Sequence, residues 1–108
     1  VRHLSSAKFT IIDDVLDERA KQEEKWGVQS HPDGTGDSGS NNIAWLKRHI
    51  TESKAKSGDL TWRHILDEEV AEAFAEDVLD GLREELIQVA AVALAWVEDI
   101  DRRMPSDA

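Results

Sequence analysis

The stretch WRHILDEEVAEAFAEDVLDGLREELIQVAAVALAW, Trp62 to Trp96, decides the fold. Advancing roughly 100° per residue from Trp62 collects Trp62, Leu66, Val70 and Ala73 on one apolar stripe, the signature of an amphipathic helix. That helix continues to about Glu76, capped at its start by Asp59 or Thr61. A second helical period begins near Asp80 and runs to about Arg103, with Leu82, Leu86, Val89, Ala93 and Ile100 on its stripe. Asp77 to Gly81 leave room only for a short link, so the two helices are predicted to be antiparallel neighbours. Leu86 to Val97, LIQVAAVALAWV, is apolar on every side except at Gln88, and such a helix must be covered from more than one direction. Three other helices of a chain this short would struggle to cover it, the alternative being a monomeric bundle with this helix at its centre. A homodimer or a homotetramer built as a dimer of dimers is therefore predicted, burying the face that carries Ala90, Ala91, Ala93 and Ala95.

Working outward, a helix is predicted from about Asn42 to Ala55, ended by Gly58, with Ile43, Trp45, Leu46 and Ile50 as its apolar surface. Upstream of it, Val28 to Asn42 contains HPDGTGDSGS, a run of turn formers too long for a plain connection and expected to be either disordered or, the reading favoured here, a mobile functional loop. A first helix is predicted from about Ala7 to Trp26, stopped by Gly27, with Phe9, Ile12, Leu16, Arg19 and Trp26 along one side. Neither proline, Pro32 or Pro105, interrupts a periodic segment, and no stretch alternates in the manner of a strand. The expected architecture is an all-α, four-helix single domain. Val1 to Ser6 carry no motif.

The formal charge of −10 on 108 residues repels nucleic acid and anionic membrane unless a cation intervenes. With no cysteine there is neither a disulfide framework nor a thiolate metal site. No signal-like segment or long apolar run is visible, so a cytoplasmic location is expected, with no membrane and no nucleic-acid partner. The acid is uneven. From Thr61 to Ala108 thirteen acidic residues face only four arginines, which makes a cationic ligand attractive in that half.

Glu69 falls inside the apolar stripe of its helix, Glu72 and Glu76 lie on the border, and Glu68 points well away. On the following helix Glu85 sits at the edge of the stripe and Gln88 further round. A carboxylate facing a core is costly unless it is paired, hydrogen-bonded or bound to metal. Carboxylates converging from two packed helices suit a hard divalent cation, magnesium first and manganese as a substitute. No Glu-x-x-His pair is present, which removes the usual di-iron pattern.

EEVAE at Glu68 to Glu72 followed by ELIQ at Glu85 to Gln88 resembles the EExxE, spacer, ExxD signature of the all-α nucleoside triphosphate pyrophosphohydrolases, and of their MazG-like members in particular. ERAKQEEKWG, Glu18 to Gly27, is similar to the first-helix motif of one MazG-like subgroup, so the likeness spans about Asp14 to Arg103. The resemblance implies a four-helix MazG-like bundle completed by oligomerisation. It also implies a magnesium-dependent enzyme that cleaves a nucleoside triphosphate between its α and β phosphates. Glu69, Glu72 and Glu85 would ligate magnesium, with Glu68 a nearby acid and Glu68 and Glu69 the residues expected to act in catalysis. Where the family has its fourth ligand, an aspartate, this chain has Gln88, whose carbonyl can coordinate magnesium but brings no charge.

There is no Gly-rich phosphate loop, so phosphate recognition falls to metal and to basic side chains, among which Lys25, Lys47, Arg48, Lys54 and Lys56 are candidates. Four tryptophans without a tyrosine add candidate base-stacking surfaces at Trp26, Trp45 and Trp62, for each of which core packing is the more ordinary role, and Gln22, one turn before Trp26, can read a base edge or simply face solvent. His31 and His64 are expected to be structural. Two other readings stay open: a nucleotide-binding homologue with weakened catalysis, and a non-enzymatic helical oligomerisation module.

Overall fold

A computed structural model describes residues 6–105, with side-chain exposure from residue 8 onward; Val1 to Ser5 and the last three residues lie outside the described residues. The described chain is all-α: α1 (Ser6–Trp26), α2 (Ser38–Ser57), α3 (Trp62–Ala75) and α4 (Leu79–Arg103). It divides into two compact units, Val1–Pro32 with Leu94–Ala108 and Asp33–Ala93, and α4 continues from the second into the first. No helix among the described residues is long and apolar enough to cross a membrane.

In the unit Asp33–Ala93, α2 and α3 form an antiparallel hairpin. The Lys47–Asp67 and Arg48–Glu72 ion pairs and the Thr51 hydroxyl's bond to the His64 carbonyl tie the two helices together along their length. Gly58, at φ 79°, ends α2 in the left-handed conformation that glycine adopts without a steric penalty. Thr61 then caps α3: its hydroxyl accepts from the His64 N–H at 3.3 Å, and its own N–H donates to His64 Nδ1 at 3.1 Å. This is a capping box with histidine in the place that glutamate usually takes, and it gives His64 the structural role expected of it.

α2 begins four residues earlier than its periodicity predicts. Asp37 caps it, its carboxylate accepting from both the N–H and the hydroxyl of Ser40, and those bonds hold the Asp37 carboxyl below the usual range. The Ser-Gly-Ser run that reads as turn is thus the first turn of a helix, where side chains matter less than the cap. Just before it, the Gly36 N–H donates to the Phe74 carbonyl at 2.9 Å, tying the connection to the end of α3. Gly36 has φ 88°, and a Cβ there would fall 2.5 Å from that of Asp77, so both backbone and space call for glycine.

The buried apolar residues of this unit are Ala44, Ala71, Ala73 and Leu82. The predicted apolar surface of α2 is not what packs on α3: Ile43, Trp45, Leu46 and Ile50 are all exposed. α2 instead turns Ala44, Lys47, Arg48 and Thr51, spaced at three and four residues, toward its neighbour. On α4, Leu82 is buried while Leu86 and Ile87 are half or more exposed. In the other unit Ile11 is buried and Lys8 pairs with Glu98 at 2.6 Å, yet Phe9, Leu16 and Trp26 of the predicted α1 stripe stay exposed.

Candidate metal centre

Glu69 and Glu72 are three residues apart on α3 and therefore share a side of the helix. Glu85 of α4 meets them there, so that one carboxylate oxygen from each of the three lies within 4.8 Å of the others. Glu69 Oε2 and Glu85 Oε2 are shielded from solvent and have no hydrogen-bond partner. Two shielded, unpartnered acceptor atoms beside a third carboxylate cost folding free energy unless a cation completes them. All three residues are half-buried.

Electrostatics agree with the geometry. Burial pushes the Glu69 carboxyl above the usual range, with Glu72, Glu85 and Glu68 adding repulsion. Burial does the same to Glu85, helped by Glu72, Glu76 and Glu84 and opposed by Arg48. Glu68 is also raised, first by burial and then by Glu72 and Glu52, against the Thr51 hydroxyl and the Arg48 guanidinium, which lower it. Pointing away from the apolar stripe thus means pointing toward α2, and Glu68 is half-buried rather than solvated.

Beside the cluster an open cleft of about 370 Å³ is lined by Asn41, Trp45, Arg48, Glu72, Glu76 and Glu85, among others. Its size lies in the range of small-molecule sites, roughly 300–1,000 Å³. Glu76 on its wall accepts at Oε1 from the Val78 N–H at 3.3 Å, and its carboxyl fills the space that a side chain at Gly81 would need. Trp45 stands exposed at the cleft, its ring 4.1 Å from that of His49. Asn41 was not singled out by the sequence pattern, although Asn41, Ala44, Trp45 and Arg48 recur at helical spacing along one side of α2.

The remaining candidates do not line this cleft within the unit Asp33–Ala93. Gln88 is exposed on α4 and is not among the residues lining the cleft. Lys54 is exposed in the last turn of α2. Gln22, Lys25 and Trp26 lie on α1, in the other unit, and are exposed; Gln22 accepts from Arg19 at 2.7 Å, and the Lys25 ammonium sits 4.9 Å above the Trp26 ring.

Compared with known proteins, the chain matches no family model, no curated protein and no solved structure.

Proposed function

We propose that this protein is a magnesium-dependent nucleoside triphosphate pyrophosphohydrolase, releasing a nucleoside monophosphate and pyrophosphate, and that Glu69, Glu72 and Glu85 hold its metal, with manganese able to substitute. The observation that carries this reading is the convergence of three carboxylates within 4.8 Å, two of them with a shielded and unpartnered oxygen. The donor set is all oxygen and anionic, which fits a hard divalent cation. The order EEVAE then ELIQ, in which the family's spacing recurs, supports the choice of chemistry. When bound, magnesium would neutralise phosphate oxygens and lower the pKa of a coordinated water.

The chain's own contribution is to position and to accept a proton. Glu68 faces α2 beside the cluster with its carboxyl raised above the usual range, the direction that brings a general base closer to neutral pH. Trp45 offers an apolar plate at the cleft against which a base can stack. The negative surroundings admit an anionic substrate only together with its cations, which explains an acidic site for an acidic ligand. Release of pyrophosphate from a panel of ordinary and modified nucleoside triphosphates, in magnesium and in chelator, tests the proposal; no release from any of them in magnesium would reject it. Gln88 favours one second reading, a nucleotide-binding homologue with weakened catalysis, because it is neutral where the family has a ligand aspartate and lies outside the cleft. Magnesium-dependent nucleotide binding without pyrophosphate release would select that reading.

The same proposal includes a second copy of the chain. Ile43, Leu46 and Ile50 recur at three and four residues along an exposed face of α2, and Leu86 and Ile87 of α4 are exposed as well. Sedimentation equilibrium is expected to return two or four times the chain mass, and a mass of one chain would remove this element.

A further inference from the structure

We propose that Arg48 is an exchangeable counter-ion: in the metal-free protein its guanidinium holds Glu72, and once a divalent cation takes Glu72 the guanidinium turns to the phosphates of the substrate. This rests on the metal-site reading above and adds to it the residue that recognises phosphate. Five basic residues, Lys25, Lys47, Arg48, Lys54 and Lys56, are equivalent candidates in the sequence, and of the four in the unit Asp33–Ala93 Arg48 is the one that lines the cleft. Its neighbour Lys47 is committed to Asp67 at 2.7 Å, the length of a strong charge-assisted bond.

The Arg48–Glu72 pair is looser. Arg48 Nε and Nη2 both donate to the same oxygen, Glu72 Oε1, at 3.3 and 3.2 Å. Charge-assisted bonds are usually about 2.7–2.9 Å, and the matched fork uses both carboxylate oxygens. Two long bonds converging on one atom are a contact that a stronger ligand can displace. The Arg48 side chain is half-exposed, so moving it uncovers little, whereas Glu72 is about one-fifth exposed and is fixed on α3. One positive charge cannot neutralise three carboxylates, and a divalent cation beside Glu72 repels the guanidinium that was there first. The displaced group remains on the cleft wall with five N–H donors in a planar fork that matches a phosphate.

Opposite effects in one variant are the signature of exchange. Metal-free protein titrated calorimetrically with magnesium, and then with inorganic pyrophosphate in saturating magnesium, reads both without turnover. Arg48→Gln is expected to tighten magnesium about threefold to tenfold by removing a competing charge, and to weaken magnesium pyrophosphate by about tenfold or more. Arg48→Lys keeps the charge without the fork, so magnesium affinity should stay near wild type while pyrophosphate affinity falls to an intermediate value. If Arg48→Gln weakens magnesium, Arg48 is a strut that positions Glu72 and the exchange is wrong. Unchanged pyrophosphate affinity in Arg48→Gln overturns it equally. A wild-type protein that takes up no magnesium removes the metal reading itself and this inference with it.

Discussion

Glu69→Gln is expected to lower magnesium-dependent pyrophosphate release by about a hundredfold or more while leaving the metal-free protein folded and more heat-stable than wild type. The amide keeps the size and shape of the acid but surrenders its charge, so the metal loses an anionic ligand. In the absence of metal the same loss is a relief, because Glu69 is half-buried against Glu72, Glu85 and Glu68, and burial together with those charges already disfavours its ionised form. Glu72→Gln should lose activity to a similar extent without the same gain in stability. Its carboxylate is the partner of Arg48, and neutralising it abandons that guanidinium as it relieves the glutamates. The pair of variants therefore separates a metal ligand from a plain acidic surface. Turnover assays in magnesium and melts in chelator supply the comparison, and wild-type activity in either variant would sink the ligand assignment.

The elements were legible because their signals are local. Period 3.6 located four helices, Gly58 marked the end of α2, and Thr61 stood ready to cap α3. The start of α2 was not legible: Asp37 acts through its side chain on Ser40, and a composition rich in serine and glycine hides a cap that depends on one carboxylate. Packing faces were harder still. A helical wheel finds the most apolar stripe and assumes that it is the one buried, but α2 turns Ala44, Lys47, Arg48 and Thr51 to α3 and leaves Ile43, Leu46 and Ile50 exposed.

The candidate site divides along the same line. Glu69 was visible because a carboxylate inside an apolar stripe is anomalous in the sequence itself, and Glu72 and Glu85 because they sit at the edges of the stripes of two helices joined by a short link; the structure brings the three together. The burial of Glu68 was not legible from the stripe alone, since α3 is buried both at Ala73, on the predicted stripe, and at Ala71, on its opposite side. Arg48 could not be told from Lys47 without coordinates. One residue of helix, roughly 100° of rotation, sends Lys47 to Asp67 and Arg48 to Glu72.

Magnesium is expected to reverse the pH dependence of stability, and this reversal is the largest effect visible without a substrate. Glu68, Glu69 and Glu85 have folded pKa values raised above the ordinary 4.5. Between that value and their raised ones the folded chain binds more protons than the unfolded chain, so metal-free stability falls as pH rises through this window and stays low above it. Asp37 has the opposite sign, but its window lies below its ordinary 3.8 and does not overlap. Magnesium needs the ionised carboxylates, so its binding strengthens with pH over the interval in which the metal-free protein weakens. At a free concentration a hundredfold above the dissociation constant, binding to the native state adds about 2.7 kcal/mol. For a chain near this size that corresponds to a rise in melting temperature on the order of 10 °C. Melts in chelator should therefore decline as pH rises above 4.5 and level off once the raised carboxyls are ionised, while melts in excess magnesium climb over the same interval. Curves that coincide with and without magnesium at neutral pH would show that the three glutamates tolerate their repulsion unaided, and the metal centre would have to be abandoned.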